Sequence, residues 1–174
     1  EARHLSEVLQ RVRAVPVEKE IICVDDCSSD DTWAILQEES QRPGTYVFRH
    51  SQNMGKGAAV RTGLGQVSGD VVIIQDADLE YEPNDYIKLL EPIQRGDCQV
   101  VYGSRFLGRP EAMSLSSALG NRFVTTVANA LFRTRLTDLE TCYKVFTADI
   151  ARRLQLVSPR WGFDPEITAK IVRM

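Results

Sequence analysis

Asp70-Val71-Val72-Ile73-Ile74-Gln75-Asp76-Ala77-Asp78-Leu79-Glu80-Tyr81-Glu82-Pro83 is the stretch on which the reading of this chain turns. Its four consecutive β-branched apolar residues predict a strand buried on both faces, near the centre of a parallel or mixed α/β sheet. Asp76, Asp78 and Glu80 follow it directly, and a spacing of two puts them on one side of an extended segment. Like charges so close raise one another's pKa, and a divalent cation relieves the repulsion. An all-oxygen donor set favours Mg2+ or Mn2+ over zinc. Ligands of open α/β sheets bind beyond the carboxyl ends of the strands, where these groups stand. Alone the segment would read as a solvated acidic turn, with Pro83 opening the next helix.

Outward from it, the chain reads as strand and helix in alternation. Leu5, Val8, Leu9, Val12 and Val15 predict an amphipathic helix over residues 3–14, stopped by Pro16. Glu20 to Val24 reads as a strand ending at Asp25-Asp26, and Cys27 to Thr32 as the capped start of a helix that runs to about Gln41. Tyr46-Val47-Phe48 is a short strand. Asn53-Met54-Gly55-Lys56-Gly57 is a turn whose backbone N–H groups and ammonium suit a phosphate, and it leads into helix 58–67. Helix 83–95 is expected to bend at Pro92 and end at Gly96; strand 99–102 then delivers Gly103-Ser104-Arg105. Beyond residue 106 the alternation stops, and helices are predicted over 115–133, over 148–156 and from Phe163 onward. The pattern predicts a layered, Rossmann-like α/β domain.

At 174 residues the chain reads as one domain, long enough to bury about 70% of its unfolded surface. Its 43% apolar and 26% charged content are ordinary for a globular protein, and a net charge of −3 gives no reason to expect nucleic acid. Cys23, Cys27, Cys98 and Cys142 form no CxxC pair and read as reduced structural thiols of a cytoplasmic protein. His4 and His50 lie in no motif and are assigned no chemistry. The sequence carries no apolar run of membrane-spanning length and no signal-peptide pattern. Glu1 starts inside one helical pattern and Met174 ends inside another, so a strand before residue 1 and further chain after 174 are expected.

Val24 to Thr32, Asn53 to Gly57, Asp76-Ala77-Asp78, Gly103-Ser104-Arg105 and Asp138-Leu139-Glu140-Thr141-Cys142-Tyr143-Lys144-Val145-Phe146 stand in one order. Together they resemble the family 2 glycosyltransferases over nearly the whole chain. The last two resemble the branch with the dolichyl-phosphate mannose synthases and the bacterial polyprenyl-phosphate glycosyltransferases. The resemblance implies a GT-A fold, three-layered and Rossmann-like, with a central mixed, mostly parallel sheet. It also implies a nucleotide-sugar donor such as GDP-mannose or UDP-glucose, a divalent metal, and inversion at the anomeric carbon. It places Asp26 on the nucleobase with Asp25 beside it, Lys56 towards the phosphates, Asp76 near ribose and metal, Asp78 on the metal and Glu80 beside it. Arg105 resembles the arginine that meets the acceptor phosphate, Lys144 lies in the motif lining that pocket, and Asp138 positions sugar or acceptor or else caps a helix. Residues 1–106 then form the nucleotide-sugar part and 107–174 the acceptor part. Two departures stand out: the proline-rich first strand is absent, and Arg109-Pro110-Glu111-Ala112-Met113 replaces a segment where relatives commonly carry a second basic residue.

The implied reaction is displacement at the anomeric carbon by a phosphate oxygen of a polyprenyl phosphate. A lipid acceptor predicts work at the cytoplasmic face of a membrane. The helix at 115–133 then has two readings: its stripe of Leu115, Leu119, Phe123, Val127 and Leu131 lies on the lipid surface, or it packs on the sheet. Two other functions fit parts of the pattern. A phosphoacceptor receiver domain also pairs an acidic doublet with a strand-end aspartate and a lysine, but needs only about 120 residues. A catalytically inactive nucleotide-binding subunit would keep the donor motifs alone.

Overall fold

The computed structural model describes residues 2–107, 115–160 and 162–174. The chain opens with α1 (Ala2–Ala14), whose Leu5, Val8, Leu9 and Val12 are buried at helical spacing. Each such side chain contributes roughly 1.5–3 kcal/mol by leaving water. Lys19 closes its far end, donating to the Val15 and Val17 carbonyls at 2.7 and 2.8 Å. β1 (Ile21–Asp25) pairs in parallel with β2 (Thr45–Arg49), from Ile21 opposite Thr45 to Asp25 opposite Arg49, with α2 (Thr32–Glu39) as the connection. α3 (Lys56–Leu64) leads from the Asn53–Gly57 turn to β3 (Val71–Ile73).

Pro83 opens a 3-10 turn (Pro83–Asp85) rather than a continuous helix, and α4 (Tyr86–Gln94) follows. Pro92 falls in its last turn, and the chain leaves it through Gly96 at φ +77°. β4 (Val100–Tyr102), α5 (Leu115–Phe132), β5 (Lys144–Thr147), α6 (Ala148–Arg153) and α7 (Phe163–Ile171) complete the order. The last predicted helix but one ends three residues early. Leu154 and Leu156 then continue as irregular chain with both side chains buried.

The sheet is mixed, as expected, but it falls into two groups among the described residues: β1-β2, and β3-β5-β4. β5 is antiparallel to both of its neighbours, Val72 facing Phe146 on one side and Val101 facing Val145 on the other. The sequence reading assigned no strand there. β3 and β4 therefore run in the same direction, one on either side of β5. Residues of β3 are half-buried rather than sealed on both faces; Ile74, just beyond it, is buried. One core joins Val8, Val12 and Val15 of the first helix region to Tyr81, Tyr86, Val145, Phe146, Phe163 and Ile167.

The antiparallel strand has a consequence for chemistry. The first residue of β5, Lys144, stands opposite Tyr102, the last residue of β4, and Val145 stands opposite Ile73, the last of β3. One end of the sheet thus gathers Asp76, Gly103-Ser104-Arg105 and Lys144. Gly103 is required there, because a Cβ on it would lie 2.8 Å from the Tyr143 Cβ.

Candidate functional site

At the β1 end, Asp25 is turned inward, its side chain fully buried against the Arg49 guanidinium at 3.0 Å. It also accepts the Ser28 N–H at 2.9 Å, and Arg49 lies over the Trp33 ring, 5.0 Å from its centroid. Asp26 accepts from the Met54 and Gly55 N–H groups at 2.8 and 2.6 Å and shares a 2.6 Å hydrogen bond with His50 Nδ1. Burial alone would raise the Asp26 pKa, yet these donors hold it below the usual carboxylate range.

The turn expected to cradle a phosphate has therefore given those two N–H groups to a carboxylate of its own chain. The Ala58 N–H is also engaged, by the Gly55 and Pro159 carbonyls. What the turn presents outward is the Lys56 ammonium. Segment 158–160 packs so closely that a Cβ on Gly55 or Gly57 would lie 2.4 or 2.1 Å from the Pro159 or Ser158 carbonyl oxygen.

Lys56 Nζ meets Asp76 at 2.7 Å. Burial would lower the lysine pKa, but the Asp76 charge prevails and raises it. Asp78 accepts the Glu80 N–H at 3.1 Å, while the Glu80 carboxylate turns to Arg105 at 3.6 Å. The three acidic groups thus have three different partners. Among the described residues no set of three His, Cys, Asp or Glu side chains is gathered to hold a metal ion. The donor chemistry of the segment is nevertheless all carboxylate oxygen, the kind a hard divalent cation takes.

At the β4 end, Arg105 and Asp138 form a two-pronged pair: Nε to Oδ2 at 2.9 Å and Nη2 to Oδ1 at 3.0 Å. The Arg105 backbone N–H adds a third bond to Oδ2 at 3.1 Å. Asp138 is fully buried, and Asn121 Nδ2 donates to its Oδ1 at 2.6 Å. Burial would raise the Asp138 pKa; the Arg105 and Asn121 bonds reverse that and hold it low. Asp138 caps no helix. It lies behind Arg105 and fixes it, with the Tyr81 ring centroid 6.0 Å from the guanidinium.

Lys144 is wholly buried, against the expectation of a phosphate-facing lysine, and pairs with Asp164 at 2.5 Å. It also donates to the Thr141 carbonyl and lies 5.4 and 5.9 Å from the Tyr102 and Phe163 ring centroids. Burial pushes its pKa down, and Asp164 offsets part of the shift.

α5 settles which way its apolar stripe faces. It buries Asn121, Thr125 and Ala128 and leaves Leu119, Phe123, Val127 and Leu131 exposed, Phe123 at 71%. The reason is polar: Thr125 Oγ1 donates to Asn121 Oδ1 at 2.9 Å and accepts the Leu139 N–H at 3.0 Å. Asn129 likewise bonds both backbone groups of Leu136. The Leu115 side chain and Arg109–Met113 lie outside the described residues.

His50, Tyr81, Asn121 and Asp164 were missing from the sequence reading of the site. Tyr81 Oη accepts the Cys142 N–H at 2.8 Å, joining the acidic segment to the 138–146 motif, and burial pushes its pKa up to about 12. The one signal that could have found Asp164 is its place at the start of a predicted helix, directly before Pro165. A cleft of about 520 Å3 lined by Arg13, Lys19 and Arg42 includes none of these groups.

Known proteins resemble the chain as follows. The family described as Glycosyl transferase family 2 matches residues 1–154. The dolichol-phosphate mannosyltransferase of Pyrococcus furiosus is 36% identical over 109 residues, covering 62% of this chain and 31% of that protein. The undecaprenyl-phosphate mannosyltransferase of Micrococcus luteus is 27% identical over 186 residues, covering 100% of this chain and 74% of the other. Among solved structures, S. aureus TarS 1–349 in complex with UDP aligns with a TM-score of 0.59 at 20% identity, covering 87% of this chain and 45% of that one. Without the nucleotide, the same protein gives 0.65 at 19% identity, covering 97% and 51%. That likeness carries the fold alone, and the fold is the expected GT-A type. The chain spans less than a third of the Pyrococcus protein.

Proposed function

We propose that this chain, which belongs to glycosyl transferase family 2, carries the transfer of a hexose from a nucleotide sugar to a polyprenyl phosphate, with inversion. Residues 1–106 would serve the donor and 107–174 the acceptor. The observation that carries the reading is the placing of two basic groups on either side of β5. Lys56 with Asp76 lies beyond β3, and Arg105 on Asp138 lies beyond β4. Strands one apart put those ends about 10 Å from each other. The named relatives act on dolichol phosphate and undecaprenyl phosphate, which supports the acceptor class.

A phosphate oxygen is already anionic near neutral pH, so the acceptor needs no strong general base. Orientation is the larger demand, and Arg105 is built for it. Asp138 holds its Nε and Nη2 atoms, which leaves the Nη1 edge, now turned to Glu80, to meet a phosphate. Lys56 would exchange Asp76 for the donor diphosphate. Asp78, with Asp76 and Glu80, would hold a Mg2+ or Mn2+ ion, which when bound supplies Lewis-acid stabilisation of the leaving diphosphate. A receiver domain is disfavoured, because such folds have parallel sheets and β5 is antiparallel to both neighbours.

The test is a thermal-shift panel of GDP- and UDP-sugars with and without Mn2+. A ligand at about 100 times its Kd stabilises by roughly 2.7 kcal/mol. One nucleotide series should raise the melting temperature; no shift with any donor would sink the reading.

The acceptor also calls for a membrane. Among the described residues no helix is long and apolar enough to cross one. The exposed stripe of α5 supports a peripheral contact instead, and exposed Arg122, Arg133 and Arg135 lie along or just beyond the helix. Drawing a polyprenyl chain into water costs about 0.8 kcal/mol per CH2, so the protein must come to the lipid. We place it at the cytoplasmic face. Phe123→Asp should leave the circular dichroism unchanged and reduce flotation of the intact protein with anionic liposomes. Unaltered flotation and unaltered use of lipid acceptor would remove α5 from that role.

A further inference from the structure

We infer that His50 is a positioning residue for the donor phosphates: it fixes the Asp26 carboxylate that holds the Asn53–Gly57 turn, and with it the Lys56 ammonium. The inference rests on the nucleotide-sugar reading above. His50 directly follows β2, and its side chain is 10% exposed. Both ring nitrogens are engaged, Nδ1 with Asp26 at 2.6 Å and Nε2 with Thr62 Oγ1 at 2.9 Å. A carboxylate only accepts, so the neutral ring carries its proton on Nδ1 and Nε2 accepts from the threonine hydroxyl.

The imidazole therefore bridges the end of β1 to the last turn of α3. Asp26 bridges the same strand end to the turn before α3, through the Met54 and Gly55 N–H groups. Gly55 sits at φ +92°, so its N–H direction depends on a conformation few residues adopt. An aspartate carboxylate turns readily about its last torsion. The Met54 and Gly55 N–H groups take one oxygen each, and His50 adds a third bond, to the Met54 oxygen, from outside the turn, so the carboxylate cannot turn with a moving loop. Lys56 is the first residue of α3 and inherits its backbone placement from this clamp. Its long stem then has only its own rotamers to fix when it meets a phosphate.

The experiment measures Kd for GDP and UDP by calorimetry, and KM for a polyprenyl phosphate, on the intact protein. It compares wild type with His50→Leu, His50→Gln and Thr62→Val, each checked for folding by circular dichroism. His50→Leu should weaken the preferred nucleotide by about tenfold or more, since the turn and Lys56 must then be ordered at the expense of binding. His50→Gln, which keeps a donor and an acceptor, should recover part of the loss, and Thr62→Val should show a smaller loss of the same kind. KM for the lipid acceptor should not change. If His50→Leu fails to fold, the other two variants carry the comparison. Folded variants with wild-type nucleotide Kd would overturn the inference, as would equal losses on donor and acceptor. Absence of nucleotide binding by wild type would overturn the donor reading itself, and this inference with it.

Discussion

Arg105→Ala is expected to lower the melting temperature by about 10 °C and to abolish use of the polyprenyl acceptor. The stability effect follows from Asp138, which has no exposed side-chain surface and loses both prongs of its partner. Removing one member of a buried ion pair costs roughly 3–5 kcal/mol, which in a domain of this size is about 2–4 °C per kcal/mol. Asn121 still donates to the stranded carboxylate and limits the loss. Replacing both partners, Arg105→Leu with Asp138→Leu, should restore much of the stability but none of the acceptor use.

The double variant also changes the acid limb of the stability profile. The folded protein holds the Asp138 pKa below its ordinary value, so this contribution is full above the usual carboxylate range and is lost as pH falls through the folded value. Urea melts from pH 7 down to pH 2–3 should show that limb flattened when both residues are gone. If Arg105→Ala melts with wild type, the pair contributes nothing and the buried-charge argument fails.

Asp78→Asn is expected to remove metal-linked nucleotide binding and to lower turnover by about a hundredfold or more, since a Lewis acid at the leaving group supplies several kcal/mol. Asp76 is already matched by Lys56, which leaves Asp78 as the half-exposed carboxylate best able to take a cation. The substitution keeps the shape and an acceptor for the Glu80 N–H, so the fold should be unaffected. Calorimetry of GDP and UDP with and without Mn2+ checks it. A variant that keeps the wild-type metal dependence would show that the acidic segment does not hold the ion.

Local pattern carried much of the fold. The spacing of Leu5, Val8, Leu9 and Val12, the apolar runs of β1 and β3, and the cap-rich start before α2 each name their element, and burial agrees at the helix positions. β5 was not legible, because its apolar run is only Val145-Phe146 and the lysine that opens it reads as solvent-facing. Its partner, Asp164, is twenty residues away, so nothing nearby announces a buried pair. The periodicity of α5 showed a stripe but not which face was covered. That was decided by Asn121, Thr125 and Asn129, whose bonds to the 136–139 segment outweigh an apolar face left exposed.

The site divides the same way. Asp76, Lys56 and Arg105 were legible as charged residues at strand ends and a turn, and the sheet does bring them to one end; Asp138 entered only through the resemblance. What they do there was legible only in part. The Asn53–Gly57 turn has the sequence of a phosphate cradle but holds Asp26, because a glycine turn does not reveal which anion fills it. His50 stood in no motif, and its meaning comes from two contacts, 24 and 12 residues away.

The most direct test of the account is hexose transfer by the intact protein. Labelled GDP-mannose and UDP-glucose would each be offered with a polyprenyl phosphate and Mn2+ or Mg2+, and the lipid fraction analysed for product and anomeric configuration. The account predicts a metal-dependent, inverted glycosyl phospholipid from one donor series and none from Arg105→Ala. Nucleotide binding with no lipid product from any donor, or product formed equally well by Arg105→Ala, would contradict it.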